Sequence, residues 1–383
     1  MNLIILLGII SLFADITYEG ARSIIGPYLF ILGSSAVFVG FIGGFGEFVG
    51  YFLRILFGYL ADKTRNYWLF MIIGYSINVL SVPLLSFANN YTIAGILVTL
   101  ERLGKAIRTP SRDTIISFIG SKYGQGIAFG IHEALDQIGA ISGPLLVSLI
   151  LLLSNNNYKV SFSFLFFPAI ICIAILIFTA IKYPNPHFFE KEIEKENKEY
   201  KNIRVEKKFW IYTTAISFVS FGFVHFTLIS YHYKNFNLLS PSNIPILYTI
   251  AMFVDAISAI ILGKLFGKFG IKVVLFSILL SSFSSPLLFL SSNKFLILTS
   301  IILWGIGIGS QESIMKAYIS NIIKKEERAT AFGIFNSIYG LFLFIGSFIL
   351  GYLYNISILL MVFISLLSQI IGFVILLIYA LKF

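Results

Sequence analysis

Apolar stretches of about twenty residues or more alternate with short polar connections along this chain, twelve times over. They fall at roughly residues 3–31, 36–61, 67–88, 91–119, 124–153, 159–183, 208–233, 243–268, 272–291, 294–323, 327–354 and 356–381. About 20 apolar residues in a helix cross the hydrocarbon of a bilayer. Twelve such helices and their turns use nearly all of the 383 residues. The pattern predicts an all-α integral membrane protein with little room for a soluble domain.

The second six segments repeat the first six. Ala128-Phe129-Gly130-Ile131 recurs 203 residues on as Ala331-Phe332-Gly333-Ile334, and Gly143 falls on Gly346 at the same offset. Gly58-Tyr59-Leu60-Ala61-Asp62-Lys63 matches Gly263-Lys264-Leu265-Phe266-Gly267-Lys268 at 205. A doubled six-helix unit predicts two pseudo-symmetric bundles, residues 1–183 and 208–383. The polar segment 184–207, which opens Pro-Asn-Pro and continues as mixed Glu and Lys, reads as a solvated cytoplasmic linker between them.

Composition sharpens this picture. The chain is 57% hydrophobic and 12% charged, against roughly 45–50% and 25% for soluble domains, so the bilayer is its solvent. A net charge of +10 could point to nucleic acid, but the basic residues lie in separate short connections. Lys63, Arg65, Arg112, Lys122, Lys264, Lys268, Lys272, Lys324, Lys325, Arg328 and the Lys-rich central loop would all fall on one side of the membrane, and Lys159, Lys234 and Lys294 on the other. That asymmetry places both termini in the cytoplasm of a multi-pass cell-membrane protein. The apolar N-terminus lacks a basic leader and a small-residue cleavage site, so it reads as a retained first span. A single cysteine, Cys172 in the sixth segment, excludes an internal disulfide or thiolate metal cluster. No metal or cofactor is expected.

Gly58-x-Leu60-Ala61-Asp62-Lys63, at the end of the second of twelve spans, resembles the loop signature of the major facilitator superfamily. The span count, the doubling and the second copy after span eight fit the same family across the whole chain. The sequence departs from the family pattern at Arg65, where a glycine is usual, and at Gly267, where the second copy would carry an acid. The resemblance implies alternating access, with spans one, four, seven and ten around a central cavity. It also implies a gating loop of Gly58, Asp62 and Lys63, with Arg112 as a pairing partner for Asp62. The superfamily's span-four arginine maps onto Arg102. In span five, Gly130, Gly139, Gly143 and Pro144 resemble the G-x8-G-x3-G-P spacing of proton-driven antiporters. Small residues there permit close helix packing and proline bends the helix.

Ionisable residues at membrane depth cost roughly 2.5–3.5 kcal/mol each on insertion scales, so each needs a partner, a watery cavity or a task. Asp15, Glu19 and Arg22 share one face of span one; Glu101, Lys105, Arg108 and Arg112 form a second stripe on span four, beside Arg102. Span five adds His132, Glu133 and Asp136, and the C-terminal half adds His225, Glu312 and Lys316, the last two one turn apart in a continuous span ten. Burial raises a carboxyl pKa and a nearby cation lowers it, so a carboxylate with alternating exposure can load and release a proton. Asp15, Glu19, Glu133 and Asp136 are the proton-coupling candidates. Arg22, Glu101, Arg102, Lys105, Arg108, His225, Glu312 and Lys316 are candidates for the substrate cavity.

An enzyme is disfavoured. His132-Glu133-Ala134-Leu135-Asp136 lacks the second imidazole of the HExxH zinc peptidases, and the chain has no Walker loop for ATP-driven pumping. The reading is a secondary transporter of a small solute, coupled to protons, with exchange (efflux) ahead of symport (uptake).

Overall fold

The computed structural model describes residues 2–185, 207–323 and 328–382. The described residues are helical, with no strand. The helices are α1 (Asn2–Ile31), α2 (Ala36–Thr64), α3 (Tyr67–Leu84), α4 (Tyr91–Tyr123), α5 (Gln125–Leu153), α6 (Tyr158–Phe164) and α7 (Phe166–Lys182). They continue as α8 (Lys207–Gly222), α9 (Phe226–Asn235), α10 (Asn243–Phe269), α11 (Ile271–Ser282), α12 (Ser284–Leu290), α13 (Lys294–Glu312), α14 (Ile314–Ile322), α15 (Arg328–Ile356) and α16 (Ile358–Lys382). The twelve predicted spans are all recovered, with ends within a few residues. Eleven are long and apolar enough to cross a membrane; the other, α4, is 33 residues long and is set apart by its charges, not its length. The linker residues 186–206 and the connection carrying Lys324 and Lys325 lie outside the described residues.

Turn chemistry accounts for many of the helix starts. Asn66, Asn90, Asn157 and Asn293 each precede a span, and the side-chain oxygen of each accepts a backbone N–H of the first turn at 2.8–3.3 Å. Arg65, at the position where the family carries glycine, has φ +54°. This is the left-handed region that glycine enters without a steric penalty.

The structure corrects one expectation about element continuity. Spans six, seven, nine and ten are each two helices, not one: α6–α7, α8–α9, α11–α12 and α13–α14. In span seven the break at Phe223–His225 frees backbone groups, and distant side chains satisfy them. Ser365 and Gln369 of α16 donate to the Gly222 carbonyl at 2.6 and 3.1 Å, and Trp304 of α13 donates to the Val224 carbonyl at 2.9 Å. In span ten the break at Ser313 separates Glu312 from Lys316, so they do not share one helix face as expected.

By contacts, the chain divides into two compact units, Met1–Ile24 with Val49–Lys201 and Ile25–Phe48 with Asn202–Phe383. The end of α1 and the start of α2 therefore group with the second unit. Within the first unit, α1 and α5 cross at backbone contact. A Cβ at Gly143 would stand 2.6 Å from the Ile16 carbonyl oxygen and 2.9 Å from the Gly20 nitrogen, and one at Gly139 only 2.8 Å from the Asp15 Cβ. The second unit repeats the crossing: a Cβ at Gly346, the repeat partner of Gly143, would lie 2.6 Å from the Phe221 Cα. Ile16 and Phe221 are themselves 205 residues apart, so the duplication seen in sequence is also a duplication of packing. Outward faces carry exposed Leu152, Leu153, Phe167, Ile181, Ile260 and Leu359, side chains suited to lipid.

Candidate functional site

The charges of spans one, four and five meet inside the first unit. Asp15, Tyr18, Glu19 and Arg22 recur every three or four residues, so α1 presents them on one face, and α1 buries Asp15, Tyr18 and Glu19. The same spacing on α4, which packs against α3 and α5, turns Lys105, Arg108 and Arg112 inward.

Tyr18 is the hub. The Lys105 ammonium donates to its hydroxyl at 3.1 Å and sits 4.4 Å from its ring centre; the Arg108 and Arg22 guanidinium carbons lie 5.6 and 5.7 Å from the same ring. Three cations thus gather on one aromatic face system, within the range where ring quadrupoles attract charge. Arg108 is completely buried and also lies 4.3 Å from the Tyr75 ring of α3. None of its three guanidinium nitrogens has a hydrogen-bond partner among the described residues.

The acids are partly committed. Glu19 pairs with Arg22 at 2.9 Å. Arg112 donates to Asp113 through Nε at 2.9 Å and Nη2 at 2.8 Å, and through Nη1 to the Ser11 hydroxyl at 3.4 Å. Ser11 in turn donates to Asp136, joining α1, α4 and α5 in one chain of polar groups. Asp15, 3% exposed, keeps one carboxylate oxygen, Oδ1, without a hydrogen-bond partner among the described residues. It lies within electrostatic reach of Lys105, Arg108, Asp136 and Glu19. His132 is buried one turn from Asp136, and its Nε2 has no hydrogen-bond partner among the described residues.

The other predicted residues go elsewhere. Glu101 and Arg102 are buried and pair with each other at 3.2 Å, and Asn78 of α3 donates to the Glu101 carboxylate at 2.8 Å. Glu133 lies on the exposed side of α5, where Gln137 donates to it at 3.3 Å. Arg112 is engaged with Asp113 and Ser11; Asp62, exposed at the end of α2, accepts from the Tyr67 hydroxyl at 3.3 Å, so the expected Asp62–Arg112 pair is not made. Gly58 and Lys63 lie near that helix end, with Pro110 3.5 Å from a Cβ built at Gly58. Gly130 is open, whereas Gly139, Gly143 and Pro144 are buried in the α1–α5 crossing.

In the second unit, His225 caps α9. Its Nδ1 is 2.7 Å from the Thr227 hydroxyl and accepts the Thr227 N–H at 3.3 Å, while Nε2 is 3.7 Å from Glu47. Glu312 is exposed and Lys316 half-buried.

Tyr18, Tyr75, Ser11 and Asn78 are partners of the charged side chains that the sequence pattern did not single out. Tyr18 was within reach, since it stands between Asp15 and Arg22 on one helical face. Tyr75, Ser11 and Asn78 are ordinary polar residues in apolar helices, and only the fold brings them to the charges. Among the described residues no group of three His, Cys, Asp or Glu side chains is placed to hold a metal. A surface groove of about 310 Å³, lined by Ser86, Phe87, Lys159, Val160, Ser163 and phenylalanines of α6 and α7, shares no residue with the charge cluster.

The family model of the Major Facilitator Superfamily matches residues 7–270 and 228–382. The chain belongs to the major facilitator superfamily. An uncharacterised MFS-type transporter of Methanocaldococcus jannaschii is 32% identical over 365 residues, 92% of this chain and 88% of the relative. An uncharacterised protein of Mycobacterium tuberculosis is 34% identical over 357 residues, 92% and 86% respectively. Among solved structures, the nucleoside transporter NupG superimposes with a TM-score of 0.75 at 16% identity, covering 100% of this chain and 99% of its own. A POT peptide transporter reaches 0.75 at 14% identity, with 99% and 94% covered. At such identities these likenesses show the fold alone. As a superfamily member the chain is a multi-pass transporter of a small solute, not an enzyme.

Proposed function

We propose that this superfamily transporter couples movement of its solute to protons, and that the coupling site is the charge cluster of the first unit with Asp15 as the proton carrier. One observation carries the reading: Asp15 is buried with Lys105, Arg108, Asp136 and Glu19 around it, yet among the described residues one of its oxygens has no hydrogen bond. A carboxylate committed to structure would have its oxygens satisfied, as buried polar groups generally do. An acid that must change protonation as its access alternates is better left partly free. Asp136, held by Ser11 and facing Arg112, positions the cluster and is a poorer carrier.

Two directions of coupling follow from different observations. The glycine spacing of α5 favours exchange, the efflux reading. Gly139 and Gly143 are, however, accounted for by the α1–α5 crossing, and the cluster offers more hydrogen-bond donors than acceptors. Protonating Asp15 removes one more acceptor, so a solute that brings acceptors binds together with the proton. That favours symport. The positive-inside asymmetry supports a cell-membrane orientation with both termini cytoplasmic, a linker over 184–207 on the same side, and bundles 1–183 and 208–383 as the units of alternating access.

The test is reconstitution in liposomes with an enclosed pH-sensitive dye. Candidate solutes are added one at a time: organic acids, sugars, nucleosides and cationic amphiphiles. Solute-dependent proton flux in the direction of solute movement supports symport, and opposite flux supports exchange. Transport of a solute with no proton movement in either direction contradicts the coupling.

A further inference from the structure

Arg108 is the most unusual group in the molecule. It is completely buried, and its three nitrogens find no acceptor among the described residues; its described neighbours are the faces of Tyr18 and Tyr75. A guanidinium presents five N–H donors and no acceptor, and an ammonium three donors. Beside it Lys105 spends one of its donors on the Tyr18 hydroxyl. Against this surplus stand the Oδ1 of Asp15 and the Tyr75 hydroxyl, neither with a hydrogen-bond partner among the described residues.

The titratable groups facing this point come from α1, α3, α4, α5 and α7. On α1 they are Asp15, Tyr18, Glu19 and Arg22, and on α3 Tyr75. On α4 Lys105 and Arg112 flank Arg108. On α5 stand His132 and Asp136, and on α7 Cys172, whose thiol donates to the Ile10 carbonyl. Glu19 is engaged with Arg22, and Asp136 with Ser11. Asp15 is left to face both Lys105 and Arg108. With Glu19 balancing Arg22 and Asp113 balancing Arg112, Lys105 and Arg108 are balanced by Asp15 and Asp136, and a protonated Asp15 leaves this corner with one cation in excess.

We propose that Lys105 and Arg108 form the binding site for an oxyanion, the carboxylate or phosphate group of the transported solute. Charge-assisted hydrogen bonds from Arg and Lys to an oxyanion are the strongest the cluster can make, and Arg can make two in parallel. A cationic solute would meet Arg22, Lys105 and Arg108 together, and a neutral one would leave the buried charges uncompensated. The inference rests on the reading of this cluster as the transport site. It adds that solute and proton occupy neighbouring groups in the same state, the solute on Lys105 and Arg108 and the proton on Asp15.

The test is calorimetric binding to the full-length protein in detergent. The probes are sodium phosphate, sodium acetate and sodium succinate, with sodium chloride at matched ionic strength as reference and choline and ribose as cationic and neutral comparators. Saturable binding of at least one oxyanion is expected, tightening as pH falls. Lys105→Gln should weaken it about tenfold or more, the scale of one charge-assisted hydrogen bond. Arg108→Gln should abolish it. Should Arg108→Gln fail to fold, Lys105→Gln and the wild-type measurement decide the matter. Saturable choline or ribose binding with no oxyanion binding overturns the proposal, as does oxyanion affinity unchanged in Lys105→Gln. Repeating the titration in buffers of different ionisation enthalpy separates the two ideas. Oxyanion binding without proton uptake leaves the site standing and sinks proton coupling, whereas coupled transport of a cation sinks the oxyanion site alone.

Discussion

Tyr18 shows how one residue organises several charges. It offers Lys105 a hydroxyl acceptor and offers three cations a ring, and the two contributions can be separated by substitution. Tyr18→Phe removes only the hydrogen bond, a loss of about 1 kcal/mol. Tyr18→Ala removes the ring as well and should cost about 3–5 kcal/mol, as for other buried aromatics. Thermal unfolding in detergent should therefore order the proteins wild type, Phe, Ala; equal losses for Phe and Ala would show that the ring holds no cation. Arg65 makes a separate residue-scale case. Its φ of +54° is strained for a side chain with a Cβ, so Arg65→Gly should match or exceed wild-type stability. Arg65→Ile should lose about 1 kcal/mol, the β-branched chain fitting this region worst. Both effects would show as shifts in apparent Tm, and a destabilised glycine variant would mean that the arginine side chain contributes contacts outweighing the strain.

Among the elements, the α1–α5 crossing carries the cluster, because it sets Asp15 and Ser11 of one helix against Asp136 of the other. Its tightness depends on Gly139 and Gly143, where a Cβ would meet the α1 backbone, and not on Gly130, which has nothing within 4 Å. Gly143→Val should lower stability by about 1–3 kcal/mol or more through overpacking and impair transport with it. Gly130→Val should be neutral in both. A tolerated Gly143→Val, read from thermal unfolding and flux together, would contradict the packing account. The elements also show where sequence was informative. Span positions were legible because run length and apolarity are local properties, and the charged stripes because ionisable residues at membrane depth are expensive. The broken spans were not legible. The kink at Phe223–His225 is stabilised by Ser365 and Gln369 of a helix more than 140 residues further along the chain, and by Trp304, and no local pattern announces those partners.

For the molecule as a whole, the duplicated halves have diverged in chemistry while keeping their packing. Gly143 and Gly346 make equivalent crossings, yet among the described residues the first unit holds the dense charge cluster and the second sparser charges such as the Glu47–His225 pair. The sequence disclosed this asymmetry as a difference in charge between halves, and it named Asp15, Lys105, Arg108 and Asp136. It did not disclose which of the acids keeps an oxygen without a hydrogen bond among the described residues, since that depends on Ser11 being committed to Asp136 and Arg22 to Glu19. Asp15 as the proton carrier is the central claim. The most direct measurement compares wild type with Asp15→Asn in proteoliposomes, recording solute uptake driven by a pH gradient and solute counterflow without one. Asparagine keeps the shape and cannot cycle a proton. The variant should lose pH-driven accumulation while retaining counterflow. Undiminished pH-driven accumulation by Asp15→Asn would contradict it.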